Sequence, residues 1–288
     1  MQHLVNLVRG YLIGAANIIP GVSGGTLVLV LGIYERLVHT MRTGAGALAA
    51  LLRGRMREGI DRLKQVEWPF LIALLAGVAV ATVSLAALLE RALEDYPQRT
   101  AAFFFGLVAA SIVVAWRLVR RWGAGPIAVA AVVAVAAFFV LGLRSGEVAD
   151  PPIWAFLGAG VIAAVAMILP GISGSFVLLM IGLYDAVLAA VNDRDATVLT
   201  AVAVGAVVGL ALFSTALDEL LRRHHDVVMG GLIGLMAGSL RVLWPWPDGA
   251  ETATLGAPVD WGIPLLLAVV GFAAVLGIGR VARRLERA

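Results

Sequence analysis

Two short segments of this sequence place proline, glycine and hydroxyl side chains inside runs that are otherwise apolar. The first is NIIPGVSGGTLVLVLGIYE, residues 17–35, and the second is ILPGISGSFVLLMIGLYD, residues 168–185. Proline removes a backbone donor and glycine tolerates unusual dihedral angles, so each segment is predicted to unwind over about one helical turn. A helix that restarts after such a break presents free N–H groups beside hydroxyls, which is chemistry suited to an anion such as a phosphate.

The candidate anion ligands are the small and polar residues around each break. They are Asn17, as a cap or a ligand, with Ser23, Gly24, Gly25 and Thr26 in the first segment, and Ser173, Gly174 and Ser175 in the second. We predict that the two sets hold one anionic group from two sides. The alternative is structural, because small residues and proline kinks also allow membrane helices to pack closely.

Ionisable residues within apolar runs form a second class of candidates. Glu35 and Asp185 each follow the tyrosine that ends a segment, and Arg36 comes directly after Glu35. We interpret these three as gating or proton-coupling residues, with placement at the membrane interface as the alternative. Arg241 lies within a predicted span and is expected to neutralise the anion. Snorkelling, or an ion pair with Asp185 or Glu35, is the alternative for Arg241.

The composition predicts an all-α polytopic membrane protein. Of 288 residues, 61% are apolar and 14% are charged, and the mean hydropathy is +0.95. A water-soluble domain is roughly 45–50% apolar, and several runs here reach the roughly 18–20 apolar residues that cross a bilayer. The runs are continuous, so the alternation of a barrel is missing. We expect a single membrane domain, residues 1–288, with no signal peptide before its first apolar segment.

Several site classes are excluded or disfavoured. The chain has no cysteine, so disulfides and thiolate sites are excluded. Its four histidines lie at segment ends or in loops, so neither a metal site nor a cofactor is predicted. The sequence pI near 9.8 comes from bases in short loops beside spans. That placement favours topology signals and contact with anionic lipid over binding of nucleic acid.

The two segments belong to a longer internal repeat. Pro20, Ser23, Gly32 and Tyr34 align with Pro170, Ser173, Gly182 and Tyr184, and GLVAASIVVAW aligns with part of GLIGLMAGSLRVLW. We predict repeat 1 at residues 1–145 and repeat 2 at residues 152–282, each a broken helical hairpin followed by three spans. The hairpins are predicted at 4–38 and 153–191, and the spans at 68–90, 101–118, 126–143, 197–217, 227–244 and 262–280.

Loop charge predicts the topology. Bases collect at residues 42–64, 117–121 and 222–223 and in the C-terminal tail, whereas the other connections are acidic or mixed. Basic loops remain in the cytoplasm. All basic loops and both termini can lie on that side only if each hairpin enters and leaves the membrane on the same side. Three spans per repeat is an odd number, so the second copy is inverted. Inverted repeats with broken helices are a transporter architecture.

At PGVSGGTLVLVLGIYE, PGISGSFVLLMIGLYD and GSLRVLWPW, the sequence closely resembles the prokaryotic PopT-type family of polyprenyl-phosphate transporters, over nearly the whole chain. The resemblance implies a transporter, not an enzyme, in the cytoplasmic (inner) membrane. It implies return of undecaprenyl phosphate, the lipid carrier of wall-polymer synthesis, from the outer to the cytoplasmic leaflet. We expect ion-coupled alternating access. Proton or sodium coupling, and association of copies into a homo-oligomer, are left open.

Two other functions are weighed against transport of a lipid. Undecaprenyl-pyrophosphate phosphatases carry a similar Pro-Gly-x-Ser turn, followed by an Arg-Ser pair and preceded by a glutamate-rich motif. Here Gly24 and Gly25 follow Ser23, and neither turn contains an arginine. Phosphoryl transfer needs cationic stabilisation and a base, so hydrolysis is disfavoured. A small-anion transporter or channel would use the same anion ligands without a lipid-wide opening.

Overall fold

The structure, a computed structural model, describes residues 2–18, 23–143, 145–146, 148–249 and 255–287, with side chains described as far as Arg280. All regular secondary structure within these residues is helical. The helices are α1 (Gln2–Asn17), α2 (Gly24–Val30), α3 (Tyr34–Leu52), α4 (Met56–Gln65), α5 (Trp68–Asp95), α6 (Pro97–Trp116), α7 (Ala124–Val140), α8 (Ile153–Ile168), α9 (Gly174–Met180), α10 (Tyr184–Asn192), α11 (Ala196–Ser239) and α12 (Gly262–Arg287).

Four of these helices are long and apolar enough to cross a bilayer: α5, α6, α11 and the part of α12 at Gly262–Arg280. The pair α9 and α10, bent by 116°, makes a fifth candidate if it is counted as one span. Helices α7 and α8 are apolar but shorter. The prediction of an all-helical, polytopic membrane protein is confirmed.

Helix α11 contains two predicted spans joined end to end. It has 44 residues, which at 1.5 Å per residue is about 66 Å, roughly twice the bilayer core. His224 interrupts it with φ −135° and ψ 44°. The second part ends at Ser239, earlier than predicted, because i→i+3 bonds such as Val242 N to Ser239 O (2.9 Å) tighten the chain into turns. Arg241 therefore lies in a turn rather than in a helix.

Glycines let the helices pack backbone against backbone within each half of the chain. A Cβ on Gly10 of α1 would lie 2.0 Å from Leu74 O of α5, and one on Gly77 would lie 2.1 Å from Leu7 O. Helices α8 and α11 pack in the same way, since a Cβ on Gly205 would lie 2.0 Å from Leu157 O. Small residues at such contacts allow the close approach that stabilises helix pairs in lipid.

Two further pairs join one half of the chain to the other. A Cβ on Gly106 of α6 would lie 1.9 Å from Ala268 O of α12. A Cβ on Gly234, in the second part of α11, would lie 2.2 Å from Ala130 O of α7. The second predicted span of each repeat therefore packs against the third predicted span of the other.

Polar connections meet at two ends of the helix bundle. At what we name the basic end, residues 36–67, 117–121 and 218–226, Arg42 forms an ion pair with Asp218. Also at this end, the backbone N–H groups of Arg120 and Arg121 donate to Asp226 at 2.9 and 3.1 Å. At the opposite end, Gln98 Nε2 donates to Pro247 O, which joins the α5–α6 connection to the segment before α12.

Residues 42–64, a basic loop in the predicted topology, are mostly helical. Helix α3 continues to Leu52, and α4 packs its Gly59 against Leu51, where an added Cβ would lie 2.5 Å from that side chain. The helical core is centred on α2, because all seven of its residues are buried. Such burial of a broken helix requires that its backbone groups find partners inside the protein.

The close approach of α8 and α11 can be tested with two glycines on the same helix. A Cβ on Gly160 would lie 2.1 Å from Val202 O, whereas one on Gly158 would meet nothing within 4 Å. We expect Gly160→Ala to lower the free energy of unfolding by about 1–3 kcal/mol through overpacking, and Gly158→Ala to leave it unchanged or raised, since alanine favours helix. Thermal unfolding in detergent measures both, and equal effects would contradict the packing described.

Candidate functional site

Each broken segment contains a second break that the sequence analysis did not predict. Helices α2 and α9 both have seven residues and end with the same bonds, Ile33 N to Val28 O at 3.1 Å and Leu183 N to Leu178 O at 3.0 Å. In each, three residues separate the short helix from the next, and the middle one is a glycine in the left-handed region, Gly32 with φ 71° and Gly182 with φ 73°, where glycine carries no Cβ penalty. The sequence signal for this second break was the glycine that both segments carry two residues before the tyrosine, Gly32 and Gly182.

The predicted break at Pro-Gly is described only in the second segment. Pro20 and Gly21 lie outside the described residues. In the second copy, Pro170 and Gly171 form a turn in which Gly171 has φ 87°. Helix α8 ends at Ile168 just before this turn. The last carbonyl groups of α8 have no N–H donor within the helix and need hydrogen-bond partners from elsewhere.

Side chains of the first segment supply those partners. Ser23 Oγ donates to Leu169 O at 2.9 Å, and the Tyr34 hydroxyl donates to Ile168 O at 3.2 Å. In return, the Thr26 hydroxyl accepts a bond from Gly171 N at 2.9 Å. The two broken segments, far apart in sequence, therefore meet inside the bundle through three hydrogen bonds, which we name the inter-segment contact.

The backbone amides at the start of α2 are occupied by protein acceptors. Gly24 N donates to Asn17 Oδ1 at 2.7 Å, Gly25 N donates to Ser23 Oγ at 3.1 Å, and Thr26 N donates to Ser23 O at 2.9 Å. Ser23 is 2% exposed and Thr26 is 0% exposed. Asn17 thus acts as a cap, one of its two predicted roles. An anion at this helix start would have to displace these acceptors.

The second segment is more open. Ser175 is exposed and Ser173 is half-buried, and their hydroxyl oxygens lie 2.8 Å apart. Unlike Ser23, Ser173 makes no side-chain cap to the helix that follows it. Helix α9 is too short to concentrate a large dipole. The chemistry on offer here is therefore a pair of adjacent hydroxyls beside unwound backbone.

Arg241 lies on the side of the second segment. Its guanidinium carbon is 4.8 Å from the centre of the Phe138 ring, and a Cβ on Gly142 would lie 2.5 Å from that guanidinium. Its neighbour Val242 packs in one apolar cluster with Phe176 of α9. The stacking over a ring and the half-buried position give this cation a fixed place near the end of α7.

Arg36, a gating candidate, fastens α3 to the start of α5. Its Nε donates to both carboxylate oxygens of Glu67, at 3.0 and 3.2 Å, and its guanidinium lies 4.2 Å from the Phe70 ring centre. The hydrogen bond from Arg36 lowers the pKa of Glu67, against a smaller opposing effect of burial. Glu67 was not recognised from the sequence.

The other two gating candidates, Glu35 and Asp185, have different surroundings. Glu35 Oε1 lies 3.0 Å from His225 Nε2, at the basic end. Asp185 is exposed in the first turn of α10, close in sequence to Gly182, whose carbonyl accepts from Val148 N at 3.1 Å. The structure therefore places the two acids beside different loops.

A buried acid at the basic end was missed in the sequence. Asp218 is 5% exposed and contacts Arg42, His39 Nδ1 at 3.3 Å and Arg222 Nε at 3.3 Å. Its signal was a pair of adjacent carboxylates, Asp218 and Glu219, at the end of a long apolar run. Among the described residues, no group of three or more His, Cys, Asp or Glu could hold a metal ion.

Comparison with known proteins covers nearly the whole chain. The model of the VCA0040-like family, described as undecaprenyl phosphate translocase-like, matches residues 13–257. A polyprenyl-phosphate transporter of Vibrio cholerae is 33% identical over 99% of this chain and 98% of its own length. A polyprenyl-phosphate transporter of Staphylococcus aureus is 27% identical over 96% of each chain. No solved structure gives a significant match. The chain therefore belongs to the VCA0040-like, undecaprenyl phosphate translocase-like family.

Proposed function

We propose that this chain carries a polyprenyl phosphate, with undecaprenyl phosphate as the expected substrate, from the outer to the cytoplasmic leaflet of a prokaryotic inner membrane. The family and two relatives named polyprenyl-phosphate transporters support the substrate class. One observation supports the mechanism: two broken helical segments touch inside the bundle, with Ser23 Oγ 2.9 Å from Leu169 O. Broken helices that meet in this way are the usual substrate sites of transporters with internal repeats.

The two segments belong, in this proposal, to inverted repeats at residues 1–145 and 152–282. Three similarities support it. The short helices α2 and α9 have the same length and the same terminal bonds. The pairs α1–α5 and α8–α11 pack alike, and the α6–α12 and α7–α11 pairs are reciprocal between the repeats. Reciprocal pairing is the pattern that a two-fold relation between repeats would produce.

The basic end is proposed to face the cytoplasm, together with both termini, because bases are retained on that side. The first segment then opens from the cytoplasmic side, since Arg36 and Glu35 contact Glu67 and His225 there. The second segment opens from the outside, since Met180 and Gly182 accept bonds from the connection after α7. The hairpins at 4–38 and 153–191 would meet tip to tip.

The phosphate is proposed to bind between the breaks of the two segments, near Ser23 and Ser173. Each segment supplies most of the phosphate ligands in one of the two arrangements of the transport cycle. In the present arrangement Ser173 and Ser175 are more accessible than Ser23 and Thr26, whereas Gly174 is buried like Gly24 and Gly25. The matching set, Ser23, Gly24, Gly25 and Thr26 with Asn17, holds the protein's own backbone. Arg241 would neutralise part of the phosphate charge, and the isoprenoid tail would remain in lipid. Opening of the inter-segment contact would expose the first set to the cytoplasm.

Movement between the two arrangements is proposed to be coupled to a proton or sodium gradient. Glu35 and Asp185 are the carboxylates nearest to the two segments in sequence, and Arg36 fixes α3 beside Glu35. The fixed Arg36–Glu67 pair would give α3 a pivot at the start of α5. The proposal includes no hydrolytic step and works with one copy of the chain or with several.

A liposome assay decides between the three functions. Purified protein is reconstituted in three parallel sets of liposomes that contain labelled undecaprenyl phosphate, undecaprenyl pyrophosphate or inorganic phosphate. Loss of lipid label from one leaflet is followed together with free phosphate. We expect leaflet exchange without phosphate release. Phosphate release from undecaprenyl pyrophosphate would instead indicate a phosphatase, and movement of inorganic phosphate without lipid would indicate a small-anion transporter. Ser173→Ala and Ser175→Ala are expected to slow lipid exchange by about tenfold each, the loss of one hydrogen bond to a charged group.

The inter-segment contact can be tested with two buried threonines. Thr26→Val leaves Gly171 N without its acceptor, so we expect a loss of about 1–3 kcal/mol in the free energy of unfolding and slower transport. Thr40, 2% exposed, is the matched control, because its hydroxyl donates only to Arg36 O within its own helix. Thermal unfolding and the liposome assay measure both variants. A Thr26→Val protein that behaves like Thr40→Val would refute the contact's importance.

Orientation can be tested with single cysteines, because the chain has none. Arg57, Arg99, Asp193 and Arg223 are all exposed. We expect a membrane-impermeant maleimide to label Arg99→Cys and Asp193→Cys in intact cells, and Arg57→Cys and Arg223→Cys only after permeabilisation. Labelling of positions 57 and 193 from the same side would end the inverted-repeat proposal.

A further inference from the structure

His225 lies between two carboxylates at the basic end of the bundle. Its Nε2 is 3.0 Å from Glu35 Oε1, and its Nδ1 is 3.0 Å from Asp226 Oδ1. The histidine side chain is 12% exposed, whereas that of Glu35 is 61% exposed. In the sequence, His225 lies at a segment end like the other histidines.

The geometry has a chemical consequence for the ring. A neutral imidazole carries one N–H and one lone pair, whereas an imidazolium donates from both nitrogens. Ionised carboxylates only accept hydrogen bonds, so both 3.0 Å contacts are satisfied together when His225 carries two protons. Loss of one proton leaves a lone pair facing a carboxylate, and one of the two contacts must then open.

The two carboxylates are not equally free to leave. Asp226 is held by two further bonds, from Arg120 N at 2.9 Å and Arg121 N at 3.1 Å. Glu35 is largely exposed and follows Tyr34, whose hydroxyl belongs to the inter-segment contact. Glu35 is therefore the partner that separates when the proton leaves.

We propose that His225 is the proton-binding residue of the transport cycle, and that its proton ties the first broken segment, through Glu35, to the joint of α11. The inference rests on the proposed function for its role in transport. His224, directly before it, carries the non-helical dihedral angles that divide α11 into two spans. Release of Glu35 therefore removes one contact between α3 and the point where α11 can bend, while His39 and Arg42 of α3 remain beside Asp218.

The other charged side chains around His225 contact partners other than His225. On α3, Arg36 is paired with Glu67, while His39 and Arg42 contact Asp218. On α11, Arg222 is paired with Asp218 and Glu219, and Arg223 with Glu219. From the α6–α7 connection, Arg120 and Arg121 approach Asp226 with their backbones.

Two other histidines offer controls. His39 contacts one carboxylate at 3.3 Å and its side chain is 62% exposed, and His224 is exposed. Among the described contacts, neither histidine lies between two carboxylates. A pH effect that belongs to the Glu35–His225–Asp226 contact should therefore survive removal of either one.

The first experiment measures lipid exchange in liposomes with the same pH inside and outside, varied from about pH 5 to about pH 8, where histidine changes charge. We expect the rate of the parent protein and of His224→Gln and His39→Gln to change at least about fivefold over this range, as for a typical coupling between two sites. His225→Gln is expected to change by less than about twofold. A His225→Gln protein that keeps the parental pH dependence overturns the proposal.

The second experiment does not depend on transport. A double-mutant cycle with Glu35→Ala and His225→Gln is followed by thermal unfolding in detergent at both pH extremes. We expect the two substitutions to be coupled at the acidic pH and additive at the alkaline pH, and Glu35→Ala to be additive with His224→Gln throughout. Equal coupling at both pH values refutes proton binding at His225. If His225→Gln does not fold, Glu35→Ala must remove the pH dependence of the parent.

Absence of lipid exchange in the parent at every pH would contradict the proposed function, while the unfolding cycle would still decide whether the contact binds a proton.

Discussion

The need to satisfy broken backbone inside an apolar bundle is the constraint on which this structure depends. A peptide group without a partner costs several kcal/mol in a membrane, and the chain breaks its helices at residues 31–33 and 169–173 and between α1 and α2. At the end of α8, the partners come from the first segment. Ser23 and Tyr34 donate to the carbonyls that end α8, and Thr26 accepts from Gly171.

That requirement explains why the helices pack as they do. The segment that carries Ser23 and Thr26 must lie at the centre, and α2 is buried along its whole length. The surrounding helices approach backbone to backbone at glycines such as Gly77, Gly106 and Gly205. In lipid, where no solvent drives helices together, close approach of this kind holds a bundle in place. The glycines thus position the spans, and the hydroxyls position the breaks.

The same contacts relate the fold to transport. In the proposed site, unwound backbone and hydroxyls supply most of the ligands of the anion and Arg241 supplies one positive charge, an arrangement that suits a ligand that has to leave again. The basic end carries most of the ion pairs, and there Arg36–Glu67 and the cluster around Asp218 join α3, α5 and α11. Among the described residues, ion pairs of this kind lie at the basic end, whereas the glycine contacts lie along the spans.

Residue types and spacing were enough to predict a polytopic helical protein, its family resemblance, and the restart of a helix after Ser23. These features depend on local chemistry, namely apolar run length, proline and glycine, and on similarity along the chain. The sequence also indicated Asn17 as a cap or a ligand, because the residue lies just before the break, and its side chain accepts a bond from Gly24 N.

Contacts between distant residues could be decided only in three dimensions. The sequence did not indicate that the Ser23 and Thr26 hydroxyls would serve the backbone of the second segment, that Arg241 would fall in a turn, or that His225 would lie between Glu35 and Asp226. Side-chain hydrogen bonds depend on which helices pack together and in what register. Periodicity and composition describe one helix at a time, so those partners follow from the tertiary structure.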